Sequence, residues 1–273
     1  MTRALPSGLR YRLAEGGGAA WYWASRAQRR NALGNYAAVL GLPREDPRVA
    51  RVARRAFMNY GQMLADFVLL AALSREELIA RTSIDGRDHL DVALAAGRGC
   101  IMAVPHMGSW DVGVSYAGAL GLRIAAVTER FPGSLNEAVV ETRVGFGLEV
   151  ILPGRSAVGA IGRALKANSI VALICDLPHG PGVEVEFFGR PAVVPAGPAA
   201  LAARTGASLL PAFVYRTSPG RYHIHLDQPL PVPKGPADKD VQRSLMQQVV
   251  ARFEEFIRER PEQWYAFRPL FGN

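Results

Sequence analysis

Cysteine is nearly absent from this 273-residue chain, which carries only Cys100 and Cys175. They form no C-x-x-C pair, which excludes the zinc-finger and thioredoxin patterns. Each sits at the edge of a short apolar run, the setting of a reduced, buried thiol. Long hydrophobic runs are missing too. No stretch reaches the roughly 18 apolar residues of a membrane-spanning helix. Residues 1–30 show no n-region followed by an uninterrupted apolar h-region, so no signal peptide is expected. Internal repeats and low-complexity tracts are also lacking. With 49% hydrophobic and 21% charged residues the chain is neither disordered nor collagen-like. Its length suffices to bury a large core without disulfides or a structural metal.

What is present begins with an uneven charge. The net charge is +8, and residues 1–60 hold eleven arginines against Glu15, Glu45 and Asp46, a net of +8 by themselves. The remaining 213 residues balance at 21 basic and 21 acidic side chains. One basic surface facing an anionic partner is expected, with anionic lipid and nucleic acid the two obvious choices.

Pro43 to Pro47 breaks the chain, with Asp46 a suitable helix cap and Pro47 suited to the first turn. Beyond it Val49, Val52, Ala53, Ala56, Phe57 and Tyr60 follow helical spacing, and Arg48, Arg51, Arg54 and Arg55 occupy the rest of that helix. Such a helix packs one face and solvates the other, or lies on a membrane surface, where Trp21, Tyr22 and Trp23 would suit an interfacial anchor. Helical sequence continues to about residue 97. Short strand-like runs then alternate with helical patterns. Strands are expected at 101–104, 123–127, 148–152, 170–175, 209–215 and 222–226, and helices near 109–120, 133–146, 155–167, 197–205 and 238–260. This alternation predicts an α/β fold, a largely parallel central sheet flanked by helices. A helical N-terminal region (1–97) would precede an α/β core (98–273) within one domain.

In such a sheet ligands bind where a strand ends and the next helix begins. The first expected strand ends at Val104-Pro105, and His106-Met107-Gly108-Ser109-Trp110-Asp111 follows. On one straight helix His106 and Asp111 would point about 140° apart. With His106 in the loop and Asp111 in the first helical turn, the carboxylate is expected to reach back to the imidazole, Gly108 permitting the sharp entry. A carboxylate on one ring nitrogen fixes the tautomer and raises the basicity of the other. Backbone N–H groups at the helix start would suit an oxyanion. Ser109 lacks the Gly-x-Ser-x-Gly elbow of a serine hydrolase.

Pro105-His106-Met107-Gly108-Ser109-Trp110-Asp111 resembles the H-x-x-x-x-D motif of the lysophospholipid acyltransferase superfamily. The form His-x-Gly-x-Trp-Asp is similar to its bacterial branch, the lipid A late acyltransferases and phosphatidylinositol mannoside acyltransferases. A second segment strengthens the resemblance: Gly182 to Ala192, Pro195-Ala196-Gly197-Pro198-Ala199 and Thr205-Gly206-Ala207. The likeness covers roughly residues 20–265.

The resemblance implies acyl transfer from acyl-CoA or acyl carrier protein to a hydroxyl of a glycolipid or lysolipid, without metal or cofactor. His106 would be the general base and Asp111 would orient and charge its ring. Glu129 and Arg130 follow the second expected strand where the family keeps acceptor-binding residues, and Arg143 lies one helix later. A guanidinium there suits the acceptor's phosphate. Strand alternation puts Glu184 and Glu186 on one face of 183–188, where carboxylates would bind sugar hydroxyls or polarise the base, Glu184 being preferred by position. Asp176, at the end of the 170–175 strand, sits at the same sheet edge and is a further candidate. The chain departs from the glycerolipid members, which carry Phe-Pro-Glu-Gly, and from the lipid A enzymes, which begin with a membrane-spanning helix. A phosphatidylinositol mannoside-like acceptor therefore fits best, with lipid A or a lysophospholipid as alternatives. Work at the cytoplasmic face of the cell membrane, as a peripheral protein on an anionic surface, is expected. His179, His223 and His225 show no defensible metal spacing. A nucleic-acid-binding protein would leave His106 and Asp111 without a task and shows no recognition motif. A relative that binds lipid without catalysis is disfavoured by the intact pair.

Overall fold

The computed structural model describes residues 6–127, 134–233 and 238–271. Four helices come first: α1 (Ser7–Ala24), α2 (Arg26–Leu40), α3 (Pro47–Leu70) and α4 (Arg75–Ala80). The chain then alternates through β1 (Thr82–Asp85), α5 (Arg87–Ala95), β2 (Cys100–Val104), α6 (Trp110–Ala119), β3 (Ile124–Val127), α7 (Ser134–Gly145), β4 (Glu149–Ile151), α8 (Ala157–Lys166) and β5 (Ile170–Ile174). A hairpin follows, β6 (Gly182–Phe187) and β7 (Arg190–Pro195), and then α9 (Gly197–Thr205), β8 (Ser208–Ser218), β9 (Arg221–Leu226) and α10 (Lys239–Glu259). Seven strands form one sheet in the order β1-β9-β8-β2-β5-β3-β4, parallel at every pairing except β8–β9. The expected α/β architecture is the one the chain adopts.

Both faces of this sheet are buried, as parallel sheets require. Along β2, Ile101 and Ala103 join one apolar cluster, and Cys100, Met102 and Val104 join the other. The first cluster is completed by α8, α9, α10 and the N-terminal helices, the second by α4, α5 and α6. Burial pushes the Cys100 thiol up to about 12, and burial together with the neighbouring Asp176 charge pushes the Cys175 thiol well above its usual range, so neither is a reactive thiolate.

Asp46 caps α3 as expected, its side chain accepting from the Arg48 N–H at 2.8 Å, with Pro47 in the first turn. The apolar stripe of α3 is core: Val49, Ala53, Ala56 and Phe57 are each 0% exposed. Its arginines therefore face outward because the opposite face is packed. The helix is held against α1 by a close antiparallel crossing, where a Cβ on Gly61 would stand 2.2 Å from the Ala14 carbonyl oxygen. Tyr22 is buried, Trp21 packs on Phe57 and Phe267, and Trp23 of that trio is exposed at 65%.

Two strands escape the sequence pattern. β1 is a four-residue edge strand lying in sequence that reads as helical, and it exists because β9 offers it a parallel partner, Thr82 opposite Tyr222. β7 contains Pro191 and Pro195, residues that argue against a central strand, and it is tolerated because its sheet with β6 has two strands.

The N-terminal helices also clamp the C-terminal segment. From α2, Asn35 donates to the carbonyls of Ala266 (2.9 Å) and Arg268 (2.8 Å), and the Tyr36 hydroxyl donates to the Trp264 carbonyl. From α3, Asn59 donates to the Glu262 carbonyl at 2.8 Å. This clamp carries residues 262–268 beneath the sheet's C-terminal edge.

Candidate active site

β2 and β5 are parallel neighbours in register, Val104 opposite Ile174. Two residues beyond that pair, His106 and Asp176 leave the sheet side by side. The imidazole Nδ1 lies 2.7 Å from Asp176 Oδ1, and the His106 backbone N–H donates to Oδ2 at 3.0 Å. The Trp264 indole N–H donates to the same Oδ2 at 2.6 Å. Asp176 is 0% exposed, and three donors are what a buried carboxylate needs to offset its lost hydration. Because a carboxylate accepts, Nδ1 carries a ring proton, and in the neutral ring Nε2 has the lone pair. The His106 side chain is 34% exposed, so that lone pair has an approach.

The loop that presents the imidazole is fixed by its backbone. Gly108 adopts φ +58°, and a Cβ there would stand 1.9 Å from the Val214 carbonyl oxygen, so only glycine fits. Its N–H donates to the Gln263 carbonyl at 2.8 Å, and the His106 carbonyl accepts from the Tyr265 N–H at 2.8 Å. The clamped C-terminal segment thus supports both the imidazole's loop and, through Trp264, its carboxylate.

The expected contact between His106 and Asp111 is replaced by another. The helix starts at Trp110, whose ring meets the imidazole edge at 5.6 Å between centroids. Asp111, about 100° further round the helix axis, turns toward α7. There Arg143 meets its Oδ1 from Nε at 2.8 Å and from Nη2 at 2.7 Å. Asp111 and Arg143 are both buried, and among the described residues Arg143 Nη1 has no hydrogen-bond partner.

Both line a narrow apolar cavity of about 80 Å³ between α6 and the sheet, walled by Met102, Val104, Val114, Ala117, Ile174 and Val214 among others. It runs across the sheet from Val127 and Arg143 at one side to Ile84 and Leu226 at the other. Strands β3 to β1 stand five spacings apart, about 24 Å at about 4.8 Å each.

Glu129 and Arg130 fall outside the described residues. Glu184 is on the exposed face of β6, opposite Val183, Val185 and Phe187. The hairpin meets the site through its aromatic face, with Phe187 and Phe188 at 6.0 and 5.8 Å from the Trp264 ring. His223 and His225 both bond Asp85 at 2.8 Å, on the far side of the sheet order from β5. Trp264 escaped the sequence reading, since an aromatic pair after a long helix carries no signal of which carboxylate it will meet.

Asp111→Ala leaves a buried guanidinium without its partner, a change that costs roughly 3–5 kcal/mol. The expected outcome is a denaturant midpoint lowered accordingly while Asp176 still holds His106. An unchanged midpoint would contradict a stabilising Asp111–Arg143 pair.

The chain matches known proteins along almost its full length. A family model described as bacterial lipid A biosynthesis acyltransferase matches residues 1–272. The phosphatidylinositol mannoside acyltransferase of Mycobacterium tuberculosis (strain ATCC 25618 / H37Rv) is 33% identical over 246 residues, covering 86% of this chain and 74% of that protein. The protein of the same name from Mycolicibacterium smegmatis (strain ATCC 700084 / mc(2)155) is 32% identical over 281 residues, covering 98% of this chain and 87% of that protein. On these matches, which cover the sheet-edge histidine and its loop, the chain belongs to the bacterial lipid A biosynthesis acyltransferase family.

Proposed function

We propose that this acyltransferase moves a fatty acyl chain from acyl-CoA or acyl carrier protein to a hydroxyl of a phosphatidylinositol mannoside-like glycolipid, with His106 as general base. The observation that carries the reading is the Asp176–His106 hydrogen bond, which leaves Nε2 free to act as a base, next to Trp110, whose side chain lines the apolar cavity. His106 Nε2 takes the proton of the acceptor hydroxyl as the oxygen attacks the thioester carbonyl. The tetrahedral intermediate collapses with loss of the thiolate, which recovers the proton from the imidazolium. Asp176 holds the ring's orientation and stabilises the imidazolium while it exists. Backbone N–H groups at the start of α6 are the candidate oxyanion donors. The acyl chain is proposed to follow the cavity's apolar lining. Arg143, held by Asp111, turns its spare Nη1 donor to a polar group of the substrate at the cavity's end. Glu129 and Arg130, following β3 in sequence, and Glu184 are proposed contacts of the acceptor.

A membrane-surface site is part of this reading. Among the described residues no helix is long and apolar enough to cross a membrane. Exposed Leu9, Leu13 and Trp23 on α1 and Leu64 and Val68 on α3 share these paired helices with exposed Arg12, Arg51 and Arg54. Apolar side chains among cations suit an anionic bilayer, here the cytoplasmic face of the cell membrane.

With palmitoyl-CoA and palmitoyl-carrier protein as donors and a panel of glycolipid acceptors, thiol release is expected to depend on the acceptor. His106→Ala should lower it by roughly 100-fold or more. Undiminished turnover in that variant would overturn the base assignment. Binding to vesicles with anionic lipid should exceed binding to neutral ones and fall as salt shortens the Debye length toward about 3 Å at 1 M. Equal, salt-independent binding to both would contradict the membrane part.

A further inference from the structure

A second buried carboxylate stands behind the histidine loop. Asp66, on α3, is 1% exposed. Its Oδ1 accepts from the Tyr11 hydroxyl of α1 and from the Tyr222 hydroxyl of β9 at 2.8 Å. Its Oδ2 accepts from the Ser109 hydroxyl at 2.5 Å and faces Arg216 Nη1 at 3.6 Å. Burial and the neighbouring Asp66 charge keep both tyrosine hydroxyls far above their ordinary titration range, so they remain donors.

Ser109 is the unusual member. It directly precedes α6, a position where a serine ordinarily turns its hydroxyl oxygen to the helix's own N–H groups. Here it makes no such bond, sits at φ −117° and ψ 73°, and gives its hydroxyl proton to Asp66. The His106 loop is therefore held on two flanks. The C-terminal segment holds residues 106 and 108 through backbone bonds, and Met107 forms a bridge to Trp264. Asp66 holds residue 109. The two flanks are themselves linked, because the Gln263 side chain exchanges hydrogen bonds with the Arg216 backbone at 2.8 and 2.9 Å.

We infer that Asp66 is a positioning residue for acyl transfer, acting through Ser109 to fix the turn that presents His106 Nε2 to the acceptor hydroxyl. The inference rests on His106 as the base. Asp66 touches no substrate. Its Oδ1 bonds to Tyr11 and Tyr222 anchor the carboxylate, and its Oδ2 bond to Ser109 transmits that anchorage to the loop. A displacement of about 1 Å at a reacting group is enough to cost about 100-fold in rate.

The two oxygens separate positioning from plain stability. Ser109→Ala and Tyr222→Phe each remove one hydroxyl from the same carboxylate, but only the first touches the loop. In steady-state thiol release, Ser109→Ala is expected to lower kcat about 10-fold or more with KM for the thioester within about twofold. Tyr222→Phe should lower the unfolding midpoint and leave kcat within about twofold. Asp66→Asn should reproduce the kcat loss, and adding Ser109→Ala to it should cost little more, as expected of residues acting through one bond. Wild-type kcat in Ser109→Ala, or equal kcat losses in Ser109→Ala and Tyr222→Phe, would overturn the inference even if Asp66→Asn fails to fold. His106→Ala is run beside them. If it retains turnover, the base assignment falls and this inference with it. If it is inactive while Ser109→Ala is fully active, the inference alone falls.

Discussion

The site depends on a hydrogen bond between two residues seventy positions apart, from His106 Nδ1 to the buried carboxylate of Asp176. Strand pairing produces it. Two parallel strands in register end together, and the residues two steps beyond their last pair emerge at bonding distance. Everything else near the imidazole protects that bond. The indole of Trp264 and the backbone N–H of His106 both donate to the carboxylate's other oxygen, Oδ2, which ties the loop to the same group. A carboxylate so buried and so fully satisfied has one orientation, and it passes that orientation to the ring.

The N-terminal helices join this account through the C-terminal segment. Asn35 and Tyr36 of α2 and Asn59 of α3 hold residues 262–268, and that segment holds the histidine loop and Trp264. Side-chain amides suit the task because each reaches carbonyls that no strand or helix would otherwise satisfy. The arginine-rich helices thus combine an outward charged surface with an inward structural duty. The apolar stripe of α3 serves the inward one, which leaves the scattered exposed leucines, valine and Trp23 to meet any bilayer.

Much of the fold was legible because its strands are buried on both faces and read as short continuous apolar runs. The six strands expected in 98–273 and the helices between them appear with boundaries shifted by a few residues at most. β1 and β7 were not legible, since each is set by a partner and neither by its own composition. His106 was visible from its place after a strand and before a glycine. Its partner was misjudged because sequence proximity favours Asp111, whereas sheet order decides that β5 and not β3 lies beside β2. Asp111 finds Arg143, whose pairing depends equally on how α7 packs. Asp66 and its bond to Ser109 gave no sign, because a carboxylate in a helix interior reads as solvated until the fold buries it.

The central claim is that Asp176, and not Asp111, fixes the His106 ring. Nitrogen NMR of ¹⁵N-histidine-labelled protein reports directly which ring nitrogen carries the proton. The account predicts His106 as the Nδ1–H tautomer in the wild type and in Asp111→Asn, with that preference lost in Asp176→Asn. A tautomer preserved in Asp176→Asn and lost in Asp111→Asn would contradict it.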